Sequence, residues 1–174
     1  VDGLIKATLF VAYVAGIGLF EDIRRVFMYH GAEHKAIFTH EKGLPMTVEN
    51  ARNQTRFHPR CGTSFLFIVI LVSILLFAVT LRTPLVESRI LDHVLKILIK
   101  VPLLLPVAGL SYELLRFSAK FPKFPPFAAL AWPGLLLQRL TTREPTDDQL
   151  EVALLAIQKT LWRERLGAER EAPE

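Results

Sequence analysis

The sequence contains a single cysteine, Cys61, so no disulfide can form within the chain. It also lacks an internal repeat and any segment that combines aromatic and basic residues as RNA- and DNA-binding motifs do, although the net charge is +4 and the pI is about 9.4. We therefore expect no nucleic acid partner, and we interpret the scattered basic residues as determinants of membrane topology.

Apolar residues are abundant: they make up 51% of the 174 residues, and the mean hydropathy is +0.33. They occur in blocks, and about 20 apolar helical residues cross the hydrocarbon core of a bilayer. We predict transmembrane helices at 1–20, 64–81 and 90–117. A signal peptide is the alternative for the first block, but the block is long for one and is followed by Glu21 and Asp22 rather than by a cleavage site.

Two further segments complete the predicted fold. The segment 121–140 contains too many prolines for a regular helix, so we predict an interfacial or re-entrant stretch. Apolar residues recur at helical spacing in 145–166, which predicts an amphipathic helix that packs against the connector 21–63. The expected fold class is all-α, an integral membrane protein with about three transmembrane helices and a C-terminal amphipathic helix.

The distribution of charge predicts the topology. With three spans, the connector 21–63 and the C-terminal tail lie on the same side of the membrane. The connector is more basic than 82–100, where basic residues are mixed with Glu87 and Asp92. The positive-inside rule then places the connector and the tail in the cytoplasm of a bacterial cell, with the chain as a multi-pass protein of the inner membrane.

The connector contains the pattern H-x-x-E-H at His30–His34. On a helix, histidines at positions i and i+4 project from the same face and can bind one metal ion, and Glu33 could then accept a proton from a water molecule. Gly31 weakens a helix here by roughly 1 kcal/mol relative to alanine. The alternative is that the two histidines are interfacial or only hydrogen-bonded to their neighbours.

A second pair of metal-ligand types follows in the same connector, because His58 and Cys61 have the i, i+3 spacing of paired zinc ligands. If His30, His34, His58 and Cys61 all bind, the site is closed and structural, whereas three ligands leave a position open for catalysis. The sequence does not decide between these. Cys61 could instead be a packing residue or a palmitoylation site.

Residues outside the two pairs have weaker functional interpretations. Glu113 lies in the third apolar block, where an ionisable group is a functional candidate, or else it marks the headgroup boundary with Arg116. We expect His40 and His93 to be solvated or interfacial. The polar run 50–60 could bind a phosphate headgroup or a substrate, and a solvated connector explains it equally well.

Four separate segments of the chain are distinctive: YHGAEHKAI at 29–37, LPMTVENARNQTRFHPRCGTSF at 44–65, SYE at 111–113 and PGLLLQRLTTREPTDDQLEVAL at 133–154. Together they resemble a known bacterial family, the YqhQ-like multi-span membrane proteins. The resemblance implies a membrane protein of unknown function described as a candidate metal-dependent enzyme. Members of the family also have an upstream soluble portion with a glycine-rich segment that is absent here, so we expect a fragment or a short form.

The leading functional prediction is a membrane-bound, metal-dependent hydrolase. His30 and His34 are the predicted ligands together with His58 or Cys61, Glu33 is the predicted general base, and Arg60 or Arg56 would stabilise an oxyanion. Imidazole and thiolate ligands favour zinc as the divalent metal, although imidazole with carboxylate also suits iron or manganese. The site's location suggests a lipid or membrane-peptide substrate.

Two other functions remain open. One is a non-enzymatic scaffold or assembly factor, in which the same side chains form a structural metal site and the tail helix binds a membrane protein partner. The other is a transporter with Glu113 and the histidines as a proton relay, which would require a homo-oligomer because three spans offer little pathway.

Overall fold

The computed structural model describes residues 2–80, 83–121 and 124–171, and within these ranges the chain is helical and contains no β-strand. The all-α class is therefore confirmed. In chain order the helices are α1 (Asp2–Ile17), α2 (Glu21–Glu41), α3 (Val48–Arg52), α4 (Gly62–Thr80), α5 (Arg89–Lys120), α6 (Pro125–Thr141) and α7 (Asp147–Glu171).

Two helices, α4 and α5, are long and apolar enough to cross a membrane. They occupy the second and third predicted spans, and α5 continues without a break through Pro102 and Pro106. Leu81, the predicted end of the second span, lies outside the described residues. The structure thus supports two candidate membrane helices on length and composition alone.

The first predicted span is shorter than expected. α1 ends at Ile17 and has 16 residues, or roughly 24 Å at 1.5 Å per residue, compared with a hydrocarbon core of about 30 Å. α1 and α2 together are long and apolar enough to cross a membrane, but the chain bends by 101° at the break between them. The number of candidate spans is therefore two, or three if the bent pair counts as one.

The proline-rich segment forms a helix from Pro125 onwards, so the expectation of irregular backbone is wrong for that part of it. Pro125 and Pro126 occupy the first turn of α6, where the missing N–H groups are not needed for intrahelical hydrogen bonds. Pro133 lies within the helix and is followed by Gly134. Pro122 and Lys123 lie outside the described residues.

α6 contacts α4 directly after Pro133, at Gly134 and Gln138. A Cβ atom at Gly134 would lie 2.7 Å from the Cβ of Ser64, so only glycine permits this close approach. One turn later, the Gln138 side-chain amide donates a hydrogen bond to the Ser64 hydroxyl at 2.8 Å, and both residues are buried. The location of this segment at the membrane interface stays a prediction.

The chain divides into two compact units. Unit 1 comprises Val1–Val11 and Pro59–Gln138, and α4 packs against α5 within it. Unit 2 comprises Ala12–His58 and Arg139–Glu174 and contains α2, α3 and α7.

The core of unit 2 is rich in alanine, which allows α2, α3 and α7 to approach closely. The amphipathic helix predicted over 145–166 is observed as α7, and it packs against α2 and α3 of the connector. The buried core residues are Ala32, Ala36, Ala51, Leu150, Ala153 and Leu154.

Candidate metal-binding site

The H-x-x-E-H pattern is helical, because α2 runs through it without interruption. Gly31 is buried, and a Cβ atom built on it would lie 2.1 Å from the carbonyl oxygen of Arg143. The Arg143 N–H in turn donates to the Phe27 carbonyl at 2.8 Å. The glycine thus allows the segment after α6 to lie directly on the face of α2 that carries His30.

Each histidine of the pair is held by a backbone carbonyl from another segment. The Nδ1 atom of His30 lies 2.8 Å from the Thr141 oxygen, and that of His34 lies 2.6 Å from the Arg56 oxygen. A carbonyl only accepts hydrogen bonds, so each Nδ1 donates, and Nε2 is then the nitrogen that keeps a lone pair in the neutral ring. Both tautomers are therefore assigned by the hydrogen bonds.

The two rings are close to each other. Their centroids are 4.4 Å apart in an edge-to-face arrangement, and a ring nitrogen of His30 lies within 4.8 Å of one of His34. His34 is buried, with 4% of its surface exposed, while His30 is half-buried. This is the i, i+4 proximity that the sequence predicts.

His58 joins the same cluster in unit 2. Its ring centroid lies 5.6 Å from that of His34 and 4.7 Å from that of Phe38, and its side chain is buried. Its Nε2 atom lies 3.5 Å from the carboxylate of Glu41 at the end of α2. The structure therefore brings together three of the four predicted ligands within one unit.

A buried lysine beside the histidines supports the segment that holds His30. The Lys35 ammonium donates to the Arg52 carbonyl at 3.0 Å and pairs with Glu144 at 2.9 Å. Arg56 also pairs with Glu144, at 3.3 Å, and its guanidinium donates to the Thr142 carbonyl. Because Glu144 is exposed, solvent screens both ion pairs, and the positional restraint matters more than their energy.

The other predicted site residues differ in how exposed they are to solvent. Glu33 and Arg60 are exposed. Cys61 belongs to unit 1, is buried, and has its sulfur 3.1 Å from the Thr63 hydroxyl. Glu113 is exposed on α5, where its carboxylate lies 3.8 Å from the Arg116 guanidinium.

Three other polar features singled out in the sequence are His40, His93 and the polar run 50–60. His40 and His93 are exposed. Gln54, in the polar run 50–60, donates to the Asn50 carbonyl at 2.9 Å and accepts from Lys42 at 2.6 Å. These bonds give the run a structural role in the connector.

Sequence comparison identifies the family. A family described as "Protein of unknown function (DUF1385)" matches residues 1–163. The chain is also 39% identical over 173 residues to a Bacillus subtilis (strain 168) protein described as "Uncharacterized protein YqhQ". That alignment covers 99% of this chain and 52% of the relative, so the chain spans about half the relative's length. No solved structure matches significantly. The chain therefore belongs to the DUF1385 family of YqhQ-like proteins.

Proposed function

We propose that this chain is part of a membrane-bound, metal-dependent hydrolase in which His30 and His34 bind a divalent cation. The observation that carries the proposal is the pair of Nδ1 hydrogen bonds to the Thr141 and Arg56 carbonyls. Metal-binding histidines commonly donate their second ring nitrogen to a carbonyl or carboxylate, which fixes the tautomer and the ring orientation. Two such histidines, one turn apart, favour this arrangement over an incidental pair.

The donor atoms fit zinc best. Imidazole nitrogens suit zinc, copper, nickel and iron. Cys61 is a further ligand predicted from the sequence, and its thiolate would favour zinc among these metals. His58 is the alternative third ligand, since its ring is next to that of His34. A cation bound here would act as a Lewis acid towards water or a substrate carbonyl.

The chain's own residues supply the remaining roles. Glu33 directly precedes His34 on α2 and is exposed, so its carboxylate is accessible to a substrate as a general base. Arg60 is also exposed and is our candidate for stabilising developing negative charge. We assign Arg56 a positioning role instead, because its guanidinium is bonded to Thr142 and Glu144.

A scaffold with a structural metal site is the second candidate, and the exposed face of α7 favours it. Leu150 and Leu154 are buried against α2 and α3, but Val152, Leu155 and Trp162 on the same helix are 53%, 54% and 64% exposed. Apolar side chains left outside a packed core are typical of a surface that binds another protein. In such a scaffold, α7 would bind the partner and the histidine cluster would hold a structural metal ion.

We further propose that the chain crosses the inner membrane of a bacterium, with unit 2 in the cytoplasm. Unit 2 contains chain segments from before α4 and from after α5, and they share one core. Segments that pack together lie on one side of the membrane, which agrees with both α4 and α5 crossing it. The basic connector then favours the cytoplasmic side, and the proposal holds whether or not α1 spans.

Cysteine labelling tests this topology. In a Cys61→Ser background, Glu33→Cys and Lys159→Cys are expected to react with a membrane-impermeant maleimide only in inside-out vesicles. Glu87→Cys, in the connection between α4 and α5, should react only in right-side-out vesicles; all three positions are exposed. Labelling of Glu33→Cys and Glu87→Cys from the same side would contradict two crossings.

Metal content tests the proposed site. Elemental analysis of the detergent-purified chain, prepared without chelator, should find about one zinc ion per chain. His34→Asn keeps a side-chain N–H for the Arg56 carbonyl but removes Nε2, so we expect metal affinity to fall by at least tenfold. His40→Asn is the matched control, because His40 is exposed on the same helix and should leave metal content unchanged.

Cys61→Ala separates the two candidate functions. Metal retained in this variant would support an open site and a hydrolase, whereas loss of both metal and folding in His34→Asn and Cys61→Ala would support a structural site. The metal proposal would be overturned if the purified chain bound no zinc, iron or manganese after these metals were added to it. Circular dichroism of each variant distinguishes loss of a ligand from loss of the fold.

A further inference from the structure

A groove of about 780 Å³ lies within unit 1, between α1, α4 and α5. Its size is in the range of small-molecule binding sites, which combine an apolar lining with a few polar groups. This groove has that composition, with apolar residues along most of its length and two ammonium groups. The residues that matter here are Val69, Ile70, Leu104, Lys6, Lys100 and Ser73.

Two of the residues that line the groove are lysines. Among the described residues, neither Lys6 nor Lys100 forms an ion pair, and the Lys100 ammonium lies over the Phe77 ring, 5.5 Å from its centroid. Charged side chains on membrane helices are costly and generally face a partner, a cavity or a site. Two ammoniums that line one apolar groove therefore give it an affinity for an anion.

The Lys100 ammonium lies at the part of the groove nearer the end of α4, because it is over the Phe77 ring. Phe77 and Ser73 lie three and seven residues before Thr80, the last residue of α4, or roughly 5 and 10 Å from its end at 1.5 Å per residue. Val69 is roughly 16 Å from the same end. If α4 crosses a bilayer, the Lys100 ammonium beside Phe77 is near the headgroups and the Val69 part of the groove is within the hydrocarbon core.

We propose that this groove binds an anionic amphiphile, with the anionic head at Lys6 and Lys100 and the acyl chain along Val69 and Leu104. Two sources supply this chemistry, an anionic phospholipid and a free fatty acid. The proposal is independent of the metal site, since all of its residues belong to unit 1. A zwitterionic phospholipid fits less well, because the cationic group of its head would lie near the two lysine ammoniums.

Native mass spectrometry of the full detergent-purified chain tests the groove with three probes: phosphatidylglycerol, oleate and phosphatidylcholine. We expect phosphatidylglycerol or oleate to bind at least tenfold more tightly than phosphatidylcholine, and to lose on the order of tenfold in affinity in Lys6→Gln/Lys100→Gln. The matched control is Lys120→Gln/Lys159→Gln, two lysines outside the groove, which makes the same change in net charge.

A second variant tests the apolar end. Leu104→Trp should fill the groove and weaken binding of the anionic probe without altering the lysines. Preference for phosphatidylglycerol or for oleate identifies the source of the ligand. The proposal fails if phosphatidylcholine binds as tightly as both anionic probes, if the control loses as much affinity as the groove variant, or if the groove variant and Leu104→Trp both retain full binding.

Discussion

Replacing Gly31 by alanine is expected to reduce the free energy of unfolding of unit 2 by about 1–3 kcal/mol, the usual cost of overpacking. The intrinsic preference of helices acts in the opposite direction, since alanine is favoured over glycine by roughly 1 kcal/mol. The clash dominates because the new Cβ would meet the Arg143 oxygen at 2.1 Å. A backbone atom that is also fixed by the Phe27 hydrogen bond cannot rotate away.

Thermal unfolding of the purified chain measures this effect, with about 2–4 °C expected for each kcal/mol in a chain of this size. Gly16→Ala in α1 is the matched control: its Cβ would have no neighbour within 4 Å, so the helix preference alone should act and stability should not fall. Gly31→Ala should also reduce metal content, because separating α2 from the following segment lengthens the His30–Thr141 bond. Equal stability of the two variants would contradict the close approach.

Leu150→Ala is expected to destabilise unit 2 by about 2–5 kcal/mol. Leu150 is 1% exposed and lies among Ala32, Ala36 and Ala51, where small side chains leave the leucine to fill the space between the helices. Truncation would remove apolar contact and leave a cavity that the helical backbones cannot easily close.

The matched control is Leu155→Ala, which makes the same change on the same helix at a side chain that is 54% exposed. We expect it to alter stability by no more than about 0.5 kcal/mol. Chemical or thermal unfolding monitored by circular dichroism compares the two variants directly. If Leu155→Ala were as destabilising as Leu150→Ala, α7 would have to bury its other face in the purified protein.

Patterns with a local cause could be predicted from the sequence. The apolar blocks predict α4 and α5, and the recurring apolar residues of α7 predict both the helix and its packing on the connector. The spacing of His30 and His34 is enough to place them on one face of α2. These features follow from the order of a few neighbouring residues.

Features that depend on distant parts of the chain could not be predicted in this way. The residue composition around Pro125 argues against a helix, but Gly134 and Gln138 of the observed helix contact Ser64, about 70 residues earlier in the chain. Similarly, Gly31 looks unfavourable in a helix until the Arg143 carbonyl is seen beside it. Tertiary contact overrides local propensity at both positions.

The hydrogen bonds that orient His30 and His34 could not be predicted from the sequence for a related reason. The Thr141 and Arg56 groups that hold the rings are backbone carbonyls, which every residue has and which therefore leave no pattern in the sequence. One signal was present: Lys35 falls between Ala32 and Thr39 on the buried face of α2, so its ammonium needs a partner there. Glu144 is that partner.

The two histidine tethers differ in the length of chain that each one closes, and this has a consequence for biosynthesis. His34 and Arg56 are 22 residues apart, so their hydrogen bond can form before α4 leaves the ribosome. His30 and Thr141 are 111 residues apart, with α4 and α5 between them. Because domains fold as synthesis proceeds, the second ring can be oriented only after both apolar helices have been made. Maturation of the histidine pair is thereby delayed until the two candidate membrane helices have been synthesised.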